Sequence, residues 1–510
     1  MGALDSIRLG ADKLTKTVED ITIPIDYNGG AVGDPIDGTV FRSQADVDRV
    51  LAANSWTAFK HIEAAYRALP DVIDNTVEFE VAKGVQRPEP AADPAFSLEG
   101  KRQTINGLVR VSGCESSEWD AFDGLADLAI TAVQTGSGDP YVTVSGTPFA
   151  GKDLQGLFAV FSTGQVELIH DHDDSTIHVL AELSPDPTAG TVTIARPGTE
   201  FRNSLDDVND VAPYSVIQCS TNNVEFGFIT NLFEFNRILV DTMGAFGGFS
   251  SYAGSMVCNY CIVDCLRSLS GSENGDGYLA SAGEGTRMTL VRCSKIATPA
   301  SNASDGSIYV TDRSLWGTQY CYFRGGQDGV QVTRAAGSVV HTVFDSICDA
   351  SAWGDGSAGT IRLTEAGKVG GTEFWHIASG AYQNEIRRTK GGAAGLYMSD
   401  GALLREGYGA HIRFVDNTGP CVRIRGRTNF TTQDRYNGSP STPGLVDGGG
   451  NLDVGIEIEG QFNRVRIGPD ETVTGALGDL RIAGVLGSYS EVEGGGDIEV
   501  ANFNTIAKEP

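Results

Sequence analysis

Alternation of apolar and polar residues over short runs dominates the chain, as in Val77-Glu78-Phe79-Glu80-Val81. A period of two puts apolar side chains on one face of a β-strand. One region departs from it. From Ser43 onward, Val47, Val50 and Leu51, then Trp56, Phe59, Ile62, Tyr66 and Leu69, recur at steps of three and four. This predicts one or two amphipathic helices over 43–70, with Ser43 and Ser55 as N-caps and Pro70 as the stop. Residues 1–42 read as irregular, with "DYNGGAVGDPIDG" as turns and loop, and the segment is expected to serve for docking.

Beyond about residue 215 the strands repeat a plan: a short alternating strand, a turn, a second strand with a bulky or Cys residue, then a loop with Gly or Asn. "DGYLASAGEGTRMTLVRCSKI", "DGSIYVTDRSLWGTQYCYFRG", "DGVQVTRAAGSVVHTVFDSI", "AGTIRLTEAGKVGGTEFWHI" and "AGLYMSDGALLREGYGAHIRFV" align, starting at Asp276, Asp305, Asp328, Ala358 and Ala394. The period is roughly 23 to 36 residues, the mark of a solenoid whose turns bury their faces only by stacking. Its texture is β. Equivalent positions then lie about 4.8 Å apart, and Cys293, Cys321, Phe344 and Phe374 are expected to form one inward column. Gly after each Asp or Ala serves the turn into the strand.

The opening of this region carries a resemblance. "ALPDVIDNTVEFEVAKGVQRP", a helix ending in Ala-Leu-Pro followed by an alternating strand and Gly-Val, resembles the start of the pectin-lyase-like right-handed parallel β-helix proteins, in which an N-terminal helix caps the coil. The resemblance implies an all-β fold with a helical cap over 43–70 and a parallel β-helix over 71–436. "NGSPSTPGLVDGGG", 437–450, reads as a linker, leaving a β-rich region over 451–510. There "ETVTGALGDLRIAG", with the whole layout, is similar to bacteriophage tail fibres and spikes. That second resemblance implies a virion protein assembled in host cytoplasm, a homotrimer, contact with other virion proteins through the N-terminal segment, and attachment to a host surface glycan.

Charge narrows the partners. With 38 basic and 66 acidic residues, the net charge is −28, which repels nucleic acid and anionic membranes. No apolar run approaches the length of a membrane span, and "MGALDSIRLGADKLTK" lacks the apolar core of a signal peptide. Export by the usual route is not expected. Met-Gly with Ser6 fits the loose myristoylation pattern, but nothing polybasic follows. No cofactor is implied. Nine cysteines fit free thiols in a reducing compartment. "CNYCIVDC", with Cys258, Cys261 and Cys265, invites zinc; residues three apart in a strand face opposite ways, so core packing is the expectation and no metal is assigned.

The active sites of β-helix enzymes leave no trace here; "RIR" at Arg423–Arg425 is the nearest approach to a polygalacturonase motif. A different site would draw on carboxylates of stacked turns, with Asp276, Asp305 and Asp328 as catalytic candidates. Their expected spacing brackets the carboxylate separations of retaining and inverting glycosidases. The same aspartates serve equally as turn caps, or as a cation ridge. "IHDHDDSTIH" puts His170 and His172 on one strand face, beside Asp171, Asp173, Asp174 and His178; it reads either as a metal or acid–base cluster or as a polar loop between apolar strands. Trp316, Tyr322, Trp353 and Trp375, with Tyr397 beside them, are candidate platforms for sugar rings. The function expected is attachment to a bacterial polysaccharide; depolymerisation of that polymer and a purely structural head or baseplate role are the rivals.

Overall fold

The computed structural model describes residues 15–86, 96–98, 101–113, 119–136 and 139–202, and between 222 and 494 the strands with some of the corners joining them. Parallel pairing dominates. Thr76–Val81 buries Val77, Phe79 and Val81 and leaves Glu78 and Glu80 half-buried, as its alternation predicts. It lies between Ile21–Ile25 and Leu108–Gly113, parallel to both. This first sheet continues through Leu232–Asn236, Ser255–Asn259, Arg287–Val291 and Leu315–Gln319 as far as Glu491–Gly494. A second sheet holds Thr199–Arg202, Ile238–Asp241, Ile262–Cys265, Ser294–Ala297 and Tyr322–Arg324, and a third holds Asn222–Phe226, Gly247–Ser251, Ala280–Ala282 and Ile308–Val310. The chain visits first, second and third sheet in rotation, so each strand pairs with its counterpart one turn away. Among the described residues no helix is long and apolar enough to cross a membrane.

The corner between first and second sheets is tight. Arg237, Tyr260, Arg292 and Tyr320 occupy it in successive turns, with φ of 57°, 54°, 49° and 51°. This left-handed conformation is unusual for residues with a Cβ. It persists because the corner extends the ladder: the N–H of Arg237, Tyr260 and Arg292 each donates to a carbonyl of the next turn, at 3.0, 3.0 and 2.9 Å. One residue further, Cys261, Cys293 and Cys321 stack in the core, each fully buried. Burial pushes all three thiols up.

The turn at Tyr260 also explains why Cys258 and Cys261, which face opposite ways in an unbroken strand, are both buried. Phe344 and Phe374 do not join the cysteine column. Phe344 pairs with Gln319, and Phe374 with Val343 and so with Thr318 and Leu290. Both stand on the first-sheet side of the corner, Phe344 two positions and Phe374 three positions before the place that Cys321 takes beyond it.

Helix α1 (Gln44–Asn54) and helix α2 (Ile62–Arg67) form the expected helical region. Ser43 caps α1, with the Asp46 carboxylate accepting from its N–H at 3.2 Å and its hydroxyl at 3.1 Å. Ser55 ends α1 in a left-handed C-cap instead of opening α2. The segment read as irregular contains a core strand: Ile21, Ile23 and Ile25 are buried against Thr76–Val81. Its flanking turns and Pro24 hid the alternation.

The larger departure lies within 71–436, read from sequence as one coil. The chain leaves the first sheet after Gly113 and rejoins the second at Thr199. Six strands in between, Leu128–Gln134, Tyr141–Val144, Phe158–Phe161, Val166–His172, Thr176–Val179 and Thr191–Arg196, pair antiparallel and close into a barrel. Its own core includes Val142, Phe161, Ile169, Ile177, Val192 and Ile194. Alternation looks alike in a hairpin and in a solenoid turn, so local pattern alone does not separate them. The span 437–450 is no break in the pairing either: Leu445–Asp447 joins the second sheet, and Ile456–Glu459 continues the third.

Candidate functional site

The barrel sits against the outer face of the second sheet. Phe158, Leu168, Leu180 and Ala181 pack on Leu239, Ile262, Ile296, Tyr320 and Tyr322. Polar bonds ring this apolar contact. The Ser294 hydroxyl donates to the Gly156 carbonyl at 2.6 Å, Tyr322 donates to Gln155 Oε1 at 3.2 Å, and Arg388 reaches the same oxygen at 3.0 Å. Arg324 pairs with Asp153. Arg292 binds Glu167 through two bonds of 2.9 Å while lying 5.8 and 5.1 Å from the rings of Tyr260 and Tyr320. Burial works to lower the Arg292 pKa; the Glu167 carboxylate outweighs it and holds the guanidinium charged.

A second cluster lies at the seam. Asp139 bridges two histidines, 3.0 Å from His170 Nε2 and 2.8 Å from His178 Nδ1. His170 is buried and His178 partly exposed. The His170 carbonyl accepts from Arg387 Nη2 at 2.6 Å, and Arg387 lies over the Tyr322 ring and pairs with buried Glu385. The sequence had paired His170 with His172. A bulge between Ile169 and Asp171 breaks that alternation; His172 instead accepts from the Leu154 N–H at 3.3 Å. Among the described residues no cluster of three His, Cys, Asp or Glu is arranged to hold a metal ion.

The predicted platforms separate. Tyr322 is fully buried in the seam against Phe158 and Leu168 of the barrel, which removes it as a sugar platform. Trp316 shares a register column with Met256 and Met288, both core residues. Trp375 follows Phe344 in the register column of Asn236, Asn259 and Gln319. Trp353, Asp276, Asp305 and Asp328 lie outside the described residues. The strands that follow the aspartates, Ala280–Ala282, Ile308–Val310 and Val330–Val332, are direct neighbours in the third sheet.

That sheet carries a row of different chemistry. Tyr309, Gln331, Arg362, Tyr397 and Arg423 occupy one register column in five successive strands. Leu396, Val422 and Ile424, flanking Tyr397 and Arg423 in their strands, are fully buried, so Tyr397 and Arg423 stand on the outer face. None of the five strands contains Asp or Glu. Beyond them Glu457 accepts from Arg423 Nε at 2.6 Å and closes the row. Sequence reading singled out Tyr397 and "RIR" separately; only the register joins them.

No protein-family model and no curated protein matches the chain. Among solved structures, XylC in complex with xylose is 10% identical at a TM-score of 0.28, covering 92% of this chain and 71% of that one. The gp54 tailspike of Acinetobacter baumannii bacteriophage AP22, in complex with A. baumannii capsular saccharide, is 9% identical at 0.19, covering 81% and 72%. The gp49 tailspike of Pseudomonas phage LKA1 is 10% identical at 0.23, covering 89% and 82%. Similarity of this order assigns no role to any residue here.

Proposed function

We propose that the chain is a right-handed parallel β-helix serving as a virion spike or fibre, and that it attaches to a bacterial surface polysaccharide along the outer face of its third sheet. The rotation through three parallel sheets supports this hand, since crossovers between parallel strands are right-handed in about 98% of cases. The virion setting and the homotrimer rest on the resemblance drawn from the sequence.

One observation carries the binding role: the column Tyr309, Gln331, Arg362, Tyr397 and Arg423, free of acidic strand residues in a chain of net charge −28. Four strand spacings of about 4.8 Å make the row about 19 Å long. Flat amphipathic rings suit sugar faces, and a guanidinium suits a carboxylate in two parallel bonds. A linear saccharide with acidic groups, laid across the strands, matches both. The second sheet is closed to such a polymer where the barrel covers it.

The test is binding of the full chain to acidic and neutral bacterial capsular polysaccharides by calorimetry, with Arg362→Ala and Tyr397→Ala alongside. Each substitution is expected to weaken acidic-polymer binding about tenfold or more, the order of 1–2 kcal/mol. Unchanged affinity in both variants removes the third-sheet site. Product ladders abolished by Asp305→Asn and Asp328→Asn establish the depolymerase reading instead. Failure to bind host cells together with tight retention in particles establishes a structural component.

A further inference from the structure

We propose that Asp139, His170 and His178 form an acid-sensitive latch that holds the barrel on the coil at neutral pH and releases the seam as the medium acidifies. The latch is independent of what the third sheet binds. Its parts come from both bodies: Asp139 and the histidines belong to the barrel, whereas Arg387 and Glu385 belong to the second sheet of the coil.

A single carboxylate serves two imidazoles, one on each oxygen. One added proton completes an ion pair; two leave a net positive cluster. The groups facing His170 decide what the second proton does. From the barrel these are Asp139 and His178, whose ring lies 6.0 Å away, with Asp171 and Asp173 acting on His178. From the coil they are Arg387, bonded to the His170 carbonyl, and Glu385, already paired with Arg387. Tyr322, under the Arg387 guanidinium, gives its hydroxyl hydrogen to Gln155. A charged His170 therefore faces the Arg387 guanidinium in a buried seam, and the Asp139 carboxylate that it bonds is already shared with His178.

The two histidines titrate in opposite directions from the ordinary imidazole range. The bond to Asp139 raises His178, so its proton is taken up first and tightens the pair. Burial lowers His170, against the pull of Asp139. Unfolding or undocking frees His170 to take a proton that the docked state refuses, so docking weakens as pH falls below the usual imidazole value of about 6.5. On acidification the latch firms slightly and then opens.

Hydrogen–deuterium exchange of the full chain between about pH 8 and pH 4, corrected for intrinsic rates, reads this directly. Peptides covering 153–172 and 384–389 are expected to lose protection about tenfold below the imidazole range, while the first-sheet strands stay protected. His170→Gln, which keeps a side-chain donor for Asp139 but takes no proton, is expected to hold the seam closed through the range where the wild-type chain opens. Equal seam protection at every pH in the wild-type chain, or opening of His170→Gln at the wild-type pH, overturns the proposal. Should that variant not fold, histidine C2–H exchange on the wild-type chain decides: the His170 midpoint must lie below that of His178 and coincide with seam opening, and opening that tracks His178 overturns the latch.

Discussion

Arg292 and Glu167 stand 125 residues apart in sequence and meet in two parallel bonds of 2.9 Å. The arginine comes from a left-handed corner of the coil and the glutamate from a barrel strand, its side chain fully buried. The pair thus fixes how the barrel seats. Removing one partner strands the other's charge, so Arg292→Leu or Glu167→Leu is expected to cost about 3–5 kcal/mol. Replacing both together is expected to cost clearly less than the sum. Urea unfolding of the two single variants and the double variant measures the coupling, and additive losses would show that the pair contributes nothing of its own.

Tyr322 tests which face of the coil meets the outside. Its hydroxyl donates to Gln155 within the seam, so Tyr322→Phe leaves a buried acceptor short of one donor and is expected to cost about 1 kcal/mol. Polysaccharide binding is expected to be unchanged in the same variant. A loss of binding without a loss of stability would return Tyr322 to the sugar platform that the sequence suggested.

The cysteine stack makes a chemical prediction. Cys258, Cys261, Cys293 and Cys321 are fully buried, and burial raises all four thiols. Because thiolate is the reactive form, these four are expected to resist alkylation in the folded chain and to react within minutes in denaturant, as read by mass spectrometry of the labelled peptides. Rapid labelling of Cys293 in the native protein would contradict its place in the core.

These cases separate what sequence carries from what it does not. Val77, Phe79 and Val81, the helical stretch after Ser43, and the stacking of Cys293 on Cys321 were legible because each follows from a local period or a repeat. The barrel was not, because antiparallel hairpins and solenoid turns share the same alternation and differ only in which distant strand they meet. His170 and His178 were singled out, but their pairing with Asp139 escaped for a related reason: a bulge shifts the register at Ile169, and Asp139 is 31 residues away from His170. The row from Tyr309 to Arg423 contributes one residue per turn, so no window of sequence contains it. In each miss the deciding fact is a long-range register.

Asp139 gives the sharpest pH test of the seam. Burial acts to raise its carboxyl, but hydrogen bonds from His170 and His178 outweigh it and hold the group well below the usual carboxylate range. A depressed folded value means that the stability it contributes is present above the unfolded value of about 3.9 and is lost as pH falls through the folded one. His178 works the other way: raised by Asp139, it contributes stability below about 6.5 that is lost as pH rises through its folded value. Asp139→Asn removes both effects, since an amide neither holds a full charge nor favours the imidazolium. The variant is therefore expected to lose most stability relative to wild type between the two ranges, where Asp139 is charged and His178 protonated. The difference should shrink towards pH 8, as His178 sheds its proton. Thermal unfolding of both proteins across that interval measures it, and a gap that stays constant with pH would mean that the charge of Asp139 has no part in holding the histidines.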